Sequence, residues 1–371
     1  MFLAIRDIRF AKGRFALMGS VVALITLLLV MLSGLTAGLG NQSTSALKNL
    51  GSESRPVDTI AFGAASGNDP KASFTESQIT ADQVRAWGNR PGVASAQALG
   101  ITQTRLTGSA AGSETSTGTT NVAVFGIPDG SELAPLPLEA GKVVLGDSVA
   151  KDLSLRIGDT ISMAGVDLMV GGIAADNWYS HTSVLYTDLD SWAKLAHLGQ
   201  GTQVGTVIAV TNQDGATVDT DGADAAAATV STTRTGSYSA LGSYKSENGS
   251  LLMMQGFLYG ISALVILAFL TVWTVQRTRD IAVLKALGGS GGYVLKDAIT
   301  QASIVLLLGA GIGGGIGILG GTFAAKAAPF LLTPATTLLP IAGVVALGLA
   351  GAALAVSRVT KVDALIALGG N

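Results

Sequence analysis

Residue types that do chemistry are sparse in this chain, and where they stand limits what they can do. Histidine occurs twice, at His181 and His197, and cysteine not at all. Both histidines lie near Trp178, Tyr179 and Trp192, without the second pair of ligands at zinc spacing that a metal site needs. Gly146-Asp147-Ser148 offers a serine nucleophile with His181 or His197 as base, but no second glycine completes a nucleophile elbow. The Gly141-Lys142 pair is followed by valine rather than serine or threonine, so it makes no Walker A loop. Neither ester hydrolysis nor ATP hydrolysis is expected of this chain.

The elements that would position any site are set by where charge is missing. Four uncharged stretches, Phe15 to Leu39, Leu251 to Val275, Ala298 to Ala325 and Leu338 to Val356, each reach the roughly twenty residues that cross a bilayer as helix. The first follows Arg6, Arg9, Lys12 and Arg14 and ends in small residues, as a signal peptide does. Its apolar run of about 25 residues exceeds the h-region of a cleavable leader and no A-x-A site follows, so a retained anchor is expected. Arg277, Arg279, Lys285 and Lys296 lie between the second and third stretches, and Arg358 and Lys361 follow the fourth, whereas Lys326 is alone between the third and fourth. The positive-inside rule makes the basic segments and both termini cytoplasmic and the insert over 40–250 extracytoplasmic.

Composition agrees with a membrane protein: mean hydropathy is +0.49, charged residues make up 13%, and net charge is −2. Nothing in that balance points to nucleic acid. Without disulfides the insert must bury a core of its own, which about two hundred residues can do, and an α+β domain is expected. Thr80 with Gln83 forms a capping box ahead of a helix at Asp82 to Trp87, and Pro91-Gly92-Val93 turns the chain into a strand at Ala94 to Leu99. Thr107 to Thr120 holds few large apolar groups and reads as a mobile loop or hairpin tip. Strands are expected at Asn121 to Ile127, Lys142 to Gly146, Thr160 to Met163 and Asp167 to Ile173, with Val204 to Thr211 the last. A short helix is expected at Asp147 to Leu153 and a surface helix at Asp214 to Thr229.

Three stretches together resemble the permease subunits of the MacB and FtsX-like ABC transporters. One is Ala4-Ile5-Arg6-Asp7-Ile8-Arg9 with Lys12-Gly13-Arg14, similar to that family's amphipathic entry helix. The second, Gln276-Arg277-Thr278-Arg279-Asp280-Ile281-Ala282-Val283-Leu284-Lys285-Ala286-Leu287-Gly288, resembles the signature E-R-x-R-E-I-x-x-L-R-A-L-G. The third runs from Val143-Val144-Leu145-Gly146 through Leu155-Arg156-Ile157-Gly158-Asp159-Thr160 and is similar to an ectodomain strand, helix and G-D-T turn. Val362-Asp363-Ala364-Leu365 resembles the family's C-terminal D-P-x-x-A-L without its proline.

The resemblance implies four transmembrane helices with an α+β extracytoplasmic domain inserted between helices 1 and 2. Residues 1–14 would then be a cytoplasmic amphipathic helix, 15–39, 251–275, 298–325 and 338–356 the membrane helices, 276–297 a cytoplasmic coupling helix and loop, and 357–371 a cytoplasmic tail. Arg277, Arg279, Asp280, Ile281, Leu284, Lys285, Ala286, Leu287 and Gly288 would couple to an ATPase. Their own pattern puts Ile281, Leu284 and Leu287 on one stripe, which fits a docking helix and equally an interfacial helix held at lipid headgroups. The resemblance further implies two permeases and two separate ATPase chains that bind ATP. Gly34 with Gly38 and Gly256 with Gly260 are G-x-x-x-G pairs, at a dimer interface by the resemblance or packed within the chain.

Within the family this size and plan are most similar to haem-export permeases of Gram-positive bacteria, with FtsX-like regulation of an extracellular hydrolase, or export of peptide or lipid, as alternatives. Regulation would need an exposed apolar patch, for which Trp178 and Tyr179 are candidates. Haem as substrate asks for an iron ligand at the outer ends of the first two spans. Met31, Tyr244, Glu247, Met253, Met254 and Tyr259 are the candidates, and Glu247, whose hard oxygen suits ferric iron, leads them. Glu247 as an acid at a helix N-terminus, the methionines as packing and the tyrosines as interfacial anchors are the alternatives.

Overall fold

The computed structural model describes residues 12–65, 67–109, 116–199, 201–276 and 291–359. Helix α1 (Lys12–Lys48) leads into β1 (Thr59–Phe62), β2 (Ile79–Thr80), α2 (Ala81–Gly88), β3 (Val93–Ser109), β4 (Ser116–Ile127), β5 (Lys142–Gly146) and α3 (Asp147–Asp152). There follow β6 (Thr160–Met163), β7 (Val166–Ala174), β8 (Trp178–Tyr179), β9 (Thr182–Asp188), α4 (Leu189–Leu195), β10 (Gln203–Gly205) and β11 (Val207–Asn212). The chain ends with α5 (Thr220–Ala227), β12 (Val230–Thr233), α6 (Gly242–Gln276), α7 (Gly291–Ala324) and α8 (Pro334–Val359). It divides into two units, one of Met1–Leu39 with Asn248–Asn371 and the other Gly40–Glu247.

In the unit Gly40–Glu247 the strands run in the order β12-β1-β11-β3-β4-β9-β5-β7-β6. Strand β3 is the hinge of this order. Its first half, Val93 to Leu99, pairs with β11, its second half pairs with β4, and Leu106 to Ser109 pair also with β6, closing a ring of six strands. The stretch expected to be mobile is therefore strand as far as Ser109 and again from Ser116. Its small residues are held by backbone pairing on both sides, Gly108 opposite Gly118 and Ile161, rather than by side-chain burial. The last strand is β12, paired to β1, and the expected helix after Val204 to Thr211 shortens to α5, capped by Asp219 on the Gly222 N–H. The capping box at Thr80 and Gln83 forms as expected.

Two aromatic anchors hold this unit. Phe125 meets Tyr179 and Tyr186 edge to face at 5.5 and 5.8 Å, in a core that also takes Ala46, Leu47 and Leu50 from the end of α1. Trp192 of α4 lies across Gly100 and Gly126, which face each other on β3 and β4, and a Cβ on either glycine would collide with the indole.

Asp188, 4% exposed, caps α4. Its carboxylate accepts from the Ser191 N–H at 2.8 Å, the Ser191 hydroxyl at 2.7 Å and the Gly141 N–H at 2.9 Å. Burial alone pushes this carboxyl up, and the three hydrogen bonds outweigh it, so the group titrates below its ordinary value. Its stabilisation is complete above the unfolded value of about 3.9 and is lost as pH falls through the lower folded value. An Asp188→Ala chain is expected to lose about 1 to 3 kcal/mol of stability at neutral pH, and to lose less than the parent on acidification. Thermal unfolding of both in detergent between about pH 6 and about pH 3 checks this.

In the other unit, the helices long and apolar enough to cross a membrane are Lys12–Lys48, Gly242–Gln276, Leu295–Ala324 and Pro334–Ala355. Met18, Val22 and Leu29 of α1 pack with Ile266 and Leu270 of α6, Leu306 and Ala310 of α7 and Val344 of α8. The glycines of α7 make this packing close. A Cβ on Gly309 would stand 2.8 Å from the Gly19 carbonyl oxygen, one on Gly317 would stand 3.0 Å from Val30 Cγ1, and one on Gly313 would enter the Ala23 backbone. Gly34 is filled by the Phe330 ring and Gly38 by the Pro329 backbone, so that pair packs within the chain. Gly256 and Gly260 have nothing within 4 Å and lie among the exposed Leu252, Met253, Phe257 and Ile261.

Candidate functional site

Glu247 stands on the first turns of α6, four residues before Leu251 opens the uncharged run. Its carboxylate, though part-exposed, has neighbours. His181 Nε2 lies 2.9 Å from one oxygen and 3.2 Å from the other, and 3.2 Å from Ser43 Oγ on α1. His181 arrives there on a two-residue turn, Ser180–His181, that joins β8 to β9 through the Tyr179–Thr182 pair. Both turn residues have positive φ, 49° and 65°, the left-handed conformation that a two-residue hairpin turn with the right twist requires. Ser180 Oγ is 2.9 Å from Ser243 Oγ, one helical turn before Glu247. With side chains 31% and 42% exposed, the His181–Glu247 contact contributes at most about 1 kcal/mol.

The other candidate ligands divide between the two units. Tyr244 packs edge-on against Tyr238, centroids 6.1 Å apart, at the border of the core that holds Phe125. Met31 lies 3.6 Å from the place a Cβ on Gly320 would take, and Tyr259 covers Gly343 of α8 with its ring 3.0 Å from that Cβ position. Both make packing contacts within the bundle. Met253 and Met254 are 63% and 48% exposed on α6.

Arg277, Arg279, Asp280, Ile281, Leu284, Lys285, Ala286, Leu287 and Gly288 lie outside the described residues. The helix that leads into them is anchored. Gln276, the last residue of α6, accepts a hydrogen bond from Arg14 Nη1 at 2.8 Å, and Trp273 meets Phe15 edge to face at 5.8 Å.

Features that pointed elsewhere have structural roles. Ser148 donates its hydroxyl to Asp176 at 2.8 Å and its N–H to the same carboxylate at 3.0 Å. His197 sits with φ 52° just beyond α4, its N–H on the Lys194 carbonyl, as a helix terminator. Among the described residues no three of His, Cys, Asp and Glu gather as a metal site. Of the two patch candidates, Tyr179 is buried, which pushes its phenol up, and only Trp178, half-buried, reaches the surface. The residues that sequence reasoning missed are Ser43, Ser180 and Ser243, together with His181 as the neighbour of Glu247. The i,i+4 spacing of Ser243 and Glu247 was the only local trace of this cluster.

Residues 15–228 match the MacB-like periplasmic core domain, and residues 236–364 match the FtsX-like permease C-terminal region. A protein of Staphylococcus epidermidis named for hemin transport, the permease HrtB, is 24% identical over 100% of this chain and 100% of its own length. An uncharacterised ABC transporter permease of Mycobacterium tuberculosis is 25% identical over 100% of this chain and 99% of its own. Among solved structures, the periplasmic region of MacB from Actinobacillus actinomycetemcomitans aligns with a TM-score of 0.34 at 14% identity, over 51% of this chain and 92% of that one.

Proposed function

Since the chain belongs to the MacB/FtsX-like family of ABC transporter permeases, we propose that it extrudes a hydrophobic substrate that partitions into the membrane, with haem as that substrate. The chain is a transporter subunit and not an enzyme, and a separate ATPase chain hydrolyses the ATP. The observation that carries the haem reading is Glu247: a carboxylate four residues ahead of an uncharged span, with a hard oxygen that suits ferric iron. The full-length likeness to permeases named for hemin transport supports the same choice. Met253 and Met254, exposed along α6, present apolar surface to a porphyrin approaching from the lipid.

In this reading two permeases and two ATPases form the working assembly, both termini are cytoplasmic, and the large domain faces outward. ATP binding draws the ATPases together, the coupling helices follow, and the first two spans close on the site. Glu247 loses its ligand as they do, and the substrate leaves outward.

Absorption titration of the detergent-solubilised chain with ferric haem tests this. A saturable Soret shift is expected, and Glu247→Ala should weaken binding about tenfold or more. Absence of a saturable shift in the parent chain would remove haem and leave a permease for a peptide or lipid.

A further inference from the structure

The Ser180–His181 turn is held unequally by the two helices beside it. On the α1 side the ties are numerous and include the backbone. The Ser180 N–H donates to the Ser43 carbonyl at 3.1 Å and the His181 N–H to the Gln42 carbonyl at 3.0 Å. Next to the turn, the Trp178 N–H donates to Ser45 Oγ at 2.8 Å and Asn49 Nδ2 to Asn177 Oδ1 at 2.8 Å. Ser43, Ser45 and Asn177 are buried. On the α6 side, among the described residues, the turn is met by side chains, Ser243 at Ser180 and Glu247 at His181, and both contacts are only part-buried.

Left-handed backbone at two successive residues other than glycine persists only where surrounding structure holds it, and such strain collects at switches. Here the holding groups belong to α1. If the start of α6 shifts, the turn keeps its shape and its place on α1, because the ties it gives up are two part-buried side-chain contacts, while Tyr244 of α6 keeps its own packing on the core that holds Tyr179. Such polar contacts add little to stability and re-form readily.

We propose that the turn rides on α1 as a latch that closes reversibly on α6 and governs access to the Glu247 carboxylate. Closed, His181 Nε2 lies within 3.2 Å of both carboxylate oxygens and competes with a ligand for them. Open, the carboxylate is free to bind. This rests on the reading of Glu247 as the substrate's ligand and adds the group that competes for it. Both α1 and α6 contain a membrane span, so movement of one span against the other is felt at the latch. Drawing the spans together closes it, and His181 then takes the carboxylate from the substrate.

The chain has no cysteine, so a S180C/S243C pair can report the latch directly, the parent hydroxyls being 2.9 Å apart. In the full transporter with its ATPase, oxidation should close this disulfide about tenfold faster after trapping with ATP and vanadate than without nucleotide. An equal or slower rate on trapping overturns the latch. Hydrogen exchange on the unsubstituted transporter supplies a second readout. The Ser180 and His181 amides should stay protected in both states, and loss of their protection in either overturns the attachment to α1. Neither measurement contains haem, so a failed haem titration leaves both readable.

Discussion

A Gly313→Leu chain is expected to lose the packing of α1 against α7 and, with it, most of the stability of the membrane unit. The position leaves no room even for alanine, because a Cβ there would enter the Ala23 backbone. Backbone cannot yield as a flexible side chain can, so the helices must separate along the Gly309–Gly313–Gly317 stripe. Separation would empty the contacts that Val22 and Val30 make at those glycines. Apolar side chains gain nothing by leaving lipid for protein, so close backbone approach is a main source of attraction between these helices. A loss of about 3 kcal/mol or more is expected, at the upper end of overpacking costs. Gly315→Leu supplies the comparison. It lies on the same helix with nothing within 4 Å of its Cβ position, and its effect should stay within about 0.5 kcal/mol. Unfolding of both variants in a mixed-detergent titration measures the difference, and equal stability would mean that α1 and α7 do not pack along this stripe.

That contrast also marks how far the sequence could be read. Hydropathy located the membrane helices because a long uncharged run has no cheaper place than lipid. The glycine spacing announced close packing, yet a glycine carries no information about its partner. Gly34 and Gly38 receive Phe330 and Pro329 of the same chain, whereas Gly256 and Gly260 of the identical motif face nothing. In the other unit the capping box at Thr80 and Gln83 was legible because all its atoms lie within four residues. The far half of β3 was not, since Thr107, Gly108 and Ser109 carry no apolar signal and are strand only through β4 and β6. Glu247 stood out by its distance from an uncharged run. His181, sixty-six positions away in sequence, reaches it only because a strained turn aims it there, and no local pattern encodes that approach.

Leu284→Glu is expected to disconnect the permease from its ATPase while leaving the domain Gly40–Glu247 intact. The residue shares a stripe with Ile281 and Leu287 in the segment that resembles a coupling helix, and a docking stripe is desolvated when it seats in its groove. An unpaired carboxylate buried there costs about 3 kcal/mol or more, which is roughly a hundredfold in affinity. The effect should reach the rest of the chain weakly, because the end of α6 keeps its own ties to α1 through Arg14 with Gln276 and Phe15 with Trp273. Co-purification of the ATPase should therefore fall steeply and ATP-driven transport with it, while thermal unfolding of the domain Gly40–Glu247 stays at the parent value. Ala286→Glu should act in the same direction. If the segment is instead an interfacial helix lying among headgroups, the added charge would loosen its hold on the membrane and leave the ATPase bound. Unchanged co-purification and unchanged transport would thus assign Ile281, Leu284 and Leu287 to lipid rather than to a partner.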